Sequence, residues 1–242
     1  MNILAILFLS WCSGSIARSE PPGSYLDLSS WRLTLPVDTE RAETPDEVSL
    51  PELSSFSDER YFYFDASTGG VVFRAHCGGE TTRGSDYPRC ELREMTRDGA
   101  EQAAWNTDDN AVHVMTMKAA ITETPAAKRH VVCAQIHHAN DDLLMVRLEG
   151  TKLFIERNSV DRVMLNRRYE LGDPFQLRIQ AGRGTVNVWY NDQHSMNWQV
   201  SQNGCYFKAG CYTQSNLSQG DMADACGEVV FYELNVEHKT LD

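Results

Sequence analysis

Three short segments of this chain alternate polar and apolar residues so that reactive groups gather on one side. The first reads Tyr87-Pro88-Arg89-Cys90-Glu91-Leu92-Arg93-Glu94. Side chains repeat every second residue in an extended strand, so Arg89, Glu91 and Arg93 share a face. The second, Cys133-Ala134-Gln135-Ile136-His137-His138, sets Gln135 and His137 on one face and Ile136 on the other. The third, Cys205-Tyr206-Phe207-Lys208-Ala209-Gly210-Cys211-Tyr212-Thr213-Gln214, brings Tyr206, Lys208, Tyr212 and Gln214 into phase against Phe207, Ala209 and Cys211. Guanidinium, ammonium and amide groups hold anions. Imidazole and phenol move protons. One such segment alone is more simply a solvated strand face. The complementarity of all three points to a site. Glu91 reads as the carboxylate that positions Arg89 or Arg93. A glycoside hydrolase needs two flanking carboxylates. Glu91 and Glu94 would face opposite sides of a strand, so they make a poor pair.

Strands must carry these residues, and strand-like alternation dominates the chain. Residues 71–75, 111–117, 143–148, 152–156, 175–179, 185–190 and 227–236 all alternate or run apolar, as strands do. Gly69-Gly70, Asn140-Asp141-Asp142, Gly182-Arg183-Gly184 and Asn191-Asp192 punctuate them. Helical periodicity is scarce. Short helices are expected near Pro51 to Phe56 and around Asp221 to Ala225. Many strands at short spacing predict an all-β chain: a two-sheet antiparallel jelly-roll sandwich whose concave face forms a groove.

The 242 residues suit one domain, and a 42% apolar fraction can supply its core. The opening MNILAILFLSWCSGSIA has a short apolar run followed by small residues, without a preceding Lys or Arg. It reads as a signal peptide over 1–17, leaving a single catalytic domain over 18–242, secreted and extracellular, with no stable membrane association after cleavage. Of seven cysteines, Cys12 would leave with that segment. The remaining even number suggests disulfides in a secreted chain. Cys77–Cys90 and Cys211–Cys226 are the expected pairs. Cys205 and Cys211 would stand about 20 Å apart on an unbroken strand, too far to bridge. No zinc-like spacing appears, nor a compact carboxylate cluster for calcium; Asp108-Asp109 and Asp141-Asp142 read as solvated loop pairs. No metal or cofactor is expected. Asn216-Leu217-Ser218 is a glycosylation sequon. The net charge of −12 argues against nucleic acid as a partner. It also means that a site for an anionic polymer must concentrate its cations locally.

The three segments closely resemble the signature stretches of alginate lyases of polysaccharide lyase family 7. Those signatures are Arg-(Ser/Thr)-Glu-Leu-Arg, Gln-(Ile/Val)-His and Tyr-Phe-Lys-Ala-Gly-x-Tyr-x-Gln. Here they stand as Arg89-Cys90-Glu91-Leu92-Arg93, Gln135-Ile136-His137 and Tyr206 to Gln214. The resemblance runs from about Leu26, where Leu-Asp-Leu-Ser-Ser-Trp-Arg-Leu-Thr-Leu-Pro looks like the first strand, to the closing strand at 227–238. Cys90 departs from the pattern by replacing a small hydroxyl residue. The resemblance implies a jelly roll that binds alginate and cuts it by β-elimination; endolytic action by a monomer is expected beside it. It implies Arg89, Gln135, His137 and Tyr212 as the catalytic set. Lys208, Arg93, Tyr206, Gln214 and Glu91 would contact or support the bound chain. In this family Ile between Gln and His tends to accompany guluronate-containing blocks, so Ile136 leans the expectation that way.

Such an elimination removes the C5 proton beside a carboxylate. Arg89, Gln135 and His137 would neutralise or hydrogen-bond that carboxylate as charge develops. Tyr212 would protonate the departing O4. Either Tyr212 or His137 can be the base, according to whether the C5 proton lies on the same side as O4. Two other functions remain compatible with the residues: a lyase for another polyuronate such as glucuronan, and a sugar-binding jelly roll without catalysis.

Overall fold

The computed structural model describes residues 20–240 except Ala42, Asp98 and Ser159. The signal-peptide expectation and Cys12 lie outside the described residues. The strands are β1 (Trp31–Thr34), β2 (Glu47–Val48), β3 (Phe62–Asp65), β4 (Gly70–His76), β5 (Arg89–Glu94), β6 (Ala111–Glu123), β7 (His130–His137) and β8 (Asp142–Glu149). They continue as β9 (Lys152–Arg157), β10 (Val160–Asn166), β11 (Phe175–Gly182), β12 (Thr185–Tyr190), β13 (Gln193–Gln199), β14 (Tyr206–Thr213) and β15 (Cys226–Thr240). They form two antiparallel sheets. One has eight strands in the order β10-β9-β8-β7-β14-β5-β1-β2, the other seven in the order β13-β12-β11-β6-β15-β4-β3. This is the expected all-β sandwich.

The alternation explains the layers. Leu92, Ala134, Ile136, Phe207 and Ala209 leave the eight-stranded sheet inward and are wholly buried. Phe73, Ile121, Ile179, Val188 and Phe231 meet them from the other sheet. Phe73 packs edge-on against Phe62 at 4.9 Å and Phe231 at 5.0 Å. Burying each such ring contributes about 1.5–3 kcal/mol. The core thereby fixes which face of β5, β7 and β14 looks outward.

One polar tie crosses the core. Glu94, on the inward face of β5, is 1% exposed. Its Oε2 accepts the Phe207 N–H at 2.7 Å and the Trp105 indole N–H at 3.0 Å. Its Oε1 accepts from His238 Nε2 at 2.6 Å. His238 belongs to the opposite sheet and touches His113 Nδ1 at 2.7 Å. The sequence correctly set Glu94 apart from Glu91; its place is between the sheets.

Two local expectations change. Among the described residues no disulfide is formed; Cys77, Cys90, Cys133, Cys205, Cys211 and Cys226 are buried thiols. Cys77 follows β4, with its N–H bonded to Ala225 O, whereas Cys90 stands in the other sheet opposite Cys211. Cys211 and Cys226 likewise belong to different sheets. The second helix is also absent: 221–225 is a turn. Asp221 spends its carboxylate on the Ala127 and Lys128 N–H groups and the Ser215 hydroxyl instead of capping a helix. A 3-10 turn at Glu52–Ser54 fulfils the first expectation, and another lies at Leu217–Gln219.

Candidate active site

The three polar segments become adjacent strands, β7-β14-β5. Register places Tyr206 opposite His137 and Lys208 opposite Gln135 on one side, and Lys208 opposite Arg93 and Tyr212 opposite Arg89 on the other. Residues paired across an antiparallel sheet point to the same face. Eight of the residues singled out by sequence therefore share the outer face. Gln214 lies one residue beyond β14, buried, with its N–H on His130 O. A register shift against β7 falls between Ala209 and Tyr212. Gly210 occupies it with φ +149. A Cβ there would stand 2.5 Å from Cys90 O and 2.7 Å from Glu91 Cα, so only glycine lets β14 lie this close to β5.

Glu91 organises the centre. Its side chain is wholly buried beneath its partners. Oε2 binds Lys208 Nζ at 2.6 Å and Arg89 Nη1 at 3.1 Å. Oε1 accepts a Gln135 amide N–H at 2.5 Å. Burial would push this carboxyl up, but Lys208 and then Arg89 outweigh it and hold it below its usual range. Burial, with help from Arg89, pushes the Lys208 ammonium down to about 8 against the pull of Glu91. The expected Glu91–Arg93 alternative is not used. Arg93 binds Glu47 at 2.5 Å, and Glu47 also meets Arg32 at 3.4 Å. With no exposed surface, Glu91 supports its neighbours from below and offers nothing for a sugar to touch.

His137 has an assignable tautomer. Its Nδ1 lies 2.6 Å from the His138 carbonyl oxygen, which can only accept. Nδ1 therefore carries the hydrogen, with the Tyr206 hydroxyl also 2.9 Å away. The lone pair is left on Nε2. Burial, then Lys208, pushes the imidazole down to about 4, with Arg89 acting in the same sense. At neutral pH the ring is uncharged and can accept a proton.

Tyr212 is held from two sides. The Arg89 guanidinium sits 3.8 Å from the centre of its ring. Its hydroxyl lies 2.9 Å from Ser85 Oγ. Tyr87, 6.4 Å away between ring centres, is braced by Lys128 Nζ on its hydroxyl at 3.0 Å. Sequence reasoning passed over Ser85 and Lys128. Both stand on irregular segments where no alternation marks an inward or outward side chain.

The charge balance meets the requirement set by the net −12. Arg32, Arg89, Arg93 and Lys208 against Glu47 and Glu91 leave four cations to two anions, a local +2. Further along the same sheet Arg147 and Arg162 are matched by Glu149 and Glu156, with no surplus. Beside β1, β2 and β5 the face deepens into a cleft of about 640 Å³ whose charged lining is Glu40, Asp46 and Glu47 with Arg83 and Arg93. The surplus of cations therefore sits around Lys208 and Arg89, not in this cleft, whose carboxylates outnumber its arginines.

Comparison with known proteins shows the family and the fold. The alginate lyase family model matches residues 26–238. An alginate lyase of polysaccharide lyase family 7, AlgAT5, is 46% identical with a TM-score of 0.87, covering 91% of this chain and 100% of that one. The alginate lyase of Corynebacterium sp. is 37% identical with a TM-score of 0.86, over 91% and 99% of the two chains. An alginate lyase of Klebsiella pneumoniae is 33% identical over 98 residues. That match spans 39% of this chain and 32% of the Klebsiella protein.

Proposed function

The chain belongs to the alginate lyase family, polysaccharide lyase family 7, and from that premise we propose that it cleaves alginate by β-elimination on the outer face of β5, β14 and β7. The observation that carries the mechanism is His137: an uncharged imidazole with its hydrogen fixed on Nδ1, on the same face as Arg89, Gln135 and Tyr212. A substrate is compatible with such a face, since the family 7 alginate lyase A1-II′, 25% identical over 93% of this chain with a TM-score of 0.78, has been captured in complex with substrate (GGMG).

Arg89 and the Gln135 amide hydrogen not given to Glu91 take the uronate carboxylate. Their donors strengthen as charge moves onto it. The C5–H bond breaks, its electrons form the C4–C5 double bond, and the C4–O4 bond opens. Tyr212 gives O4 its proton. In guluronate, where the C5 proton lies across from O4, His137 Nε2 takes it. In mannuronate, where both lie on one side, Tyr212 takes the C5 proton and passes one to O4. Lys208 and Arg93 would hold neighbouring uronates, and Tyr206 keeps His137 in orientation.

Guluronate or mixed blocks are the proposed preference. Ile136 supports it only through packing, since its side chain is wholly buried on the core side. Endolytic action, secretion and a monomeric state complete the proposal. Tyr212→Phe is expected to abolish release of unsaturated, ultraviolet-absorbing ends while alginate binding persists. Near-normal turnover in that variant would sink the mechanism. His137→Ala is expected to lose activity on poly-guluronate and keep it on poly-mannuronate. Product sizes followed over time on both polymers test the endolytic reading.

A further inference from the structure

We propose that Ser85 is a positioning residue for the reaction, which fixes the direction of the Tyr212 hydroxyl proton. The inference rests on the reading of Tyr212 given above. Four polar atoms surround Ser85 Oγ: the Tyr212 hydroxyl at 2.9 Å, Arg89 Nη2 at 3.0 Å, Tyr87 N at 3.2 Å and Tyr87 O at 3.2 Å. A serine hydroxyl has one proton and two lone pairs. Arg89 Nη2 and the Tyr87 N–H can only donate, so they fill both lone pairs. Tyr212 is left facing an oxygen that has no room to accept. The one Ser85 hydrogen then has two acceptors in reach, the Tyr87 carbonyl oxygen at 3.2 Å and the Tyr212 oxygen at 2.9 Å; directed to the nearer, it leaves Tyr212 as the acceptor.

This polarity has a chemical consequence. With its oxygen receiving the Ser85 hydrogen, the Tyr212 phenol turns its own hydrogen away from the loop, toward the open face where O4 must lie. When Tyr212 serves as base, the same donated hydrogen supports the phenolate. Arg89 charges the arrangement twice, by donating to Ser85 and by lying over the Tyr212 ring. The loop that carries Ser85 is held in place: Asn216 Nδ2 donates to Asp86 O at 2.8 Å, and the Thr213 N–H and hydroxyl both donate to Pro88 O. Thr213 adjoins Tyr212, so the loop and the tyrosine move as one unit. The sequon residue Asn216 thus serves as an anchor of this loop.

Ser85→Ala removes the donor and keeps the backbone. On poly-mannuronate, where Tyr212 performs both transfers, kcat is expected to fall about ten- to a hundredfold, the size of one hydrogen bond to a charged group. KM should stay within about twofold, since Ser85 would not bind the sugar uniformly in ground and transition states. Ser85→Thr, which keeps the hydroxyl, should restore most of the rate. The inference is overturned if Ser85→Ala keeps its kcat, or if Ser85→Thr is as slow as Ser85→Ala. Tyr212→Phe run alongside separates the two levels. An active Tyr212→Phe enzyme refutes the proposed mechanism, whereas an inactive one beside a fully active Ser85→Ala enzyme refutes only the role of Ser85.

Discussion

Replacing Glu91 by glutamine tests the centre of the site with almost no change of shape. The wild-type carboxylate only accepts, and it faces only donors: Lys208, Arg89 and Gln135. Glutamine has one acceptor oxygen and brings two N–H donors, so at least one contact becomes donor against donor. Two cations are then buried without their anion. Removing one partner of a buried pair typically costs about 3–5 kcal/mol. For a chain of this size that corresponds to a fall in Tm of roughly 8–16 °C at 4 kcal/mol. Lys208 provides a signature. Its folded value, about 8, already lies below the 10.5 of a free lysine. The unfolded chain therefore binds more protons between those values, and the lysine's contribution to stability rises with pH across that window. Without Glu91 the folded value drops further, and the window extends downward through neutrality. Urea unfolding of both proteins from pH 6 to pH 9 is the assay. The Glu91→Gln deficit should be largest at pH 6 and shrink as Lys208 sheds its proton. A deficit below about 1 kcal/mol, or one independent of pH, would refute the account of Glu91 as the organising anion.

Two further outcomes are expected. Since burial and Lys208 hold His137 down near 4, kcat/KM on poly-guluronate should stay flat from neutrality to about pH 5 and fall only below that, as the free-enzyme base becomes protonated; an acid limb near 6.5 would show that His137 is not the base or is not buried as described. Gly210→Ala should yield an enzyme markedly less stable in urea, or an insoluble one, because the added Cβ meets backbone of β5 on a strand with no room to retreat; unaltered stability and turnover would contradict the close packing of β14 on β5.

Periodicity with a spacing of two is written residue by residue, so the sequence alone was enough to identify the central strands, the sandwich and the shared face of Arg89, Glu91 and Arg93. The strands whose alternation was not recognised include β3, β10 and β13, which lie at sheet edges. β10 carries Asp161 and Arg162, and β13 reads Gln193-His194-Ser195-Met196-Asn197-Trp198-Gln199. An edge strand has one neighbour and less to bury, so its pattern is weak. Cysteine parity suggested disulfides, but the sheets separate the chosen partners and leave buried thiols. The sequence also placed a carboxylate among the cations without deciding which it would hold. That choice depends on register between strands that lie far apart in the chain, 44 positions from Glu91 to Gln135 and 46 from Glu47 to Arg93. β14 between β5 and β7 brings Lys208 and Gln135 to Glu91, while β2 brings Glu47 to Arg93. Ser85 reaches Tyr212 only because Asn216 and Thr213 pin its loop to the end of β14. Local alternation can say which way a side chain points, but pairing between distant segments alone decides what it meets there.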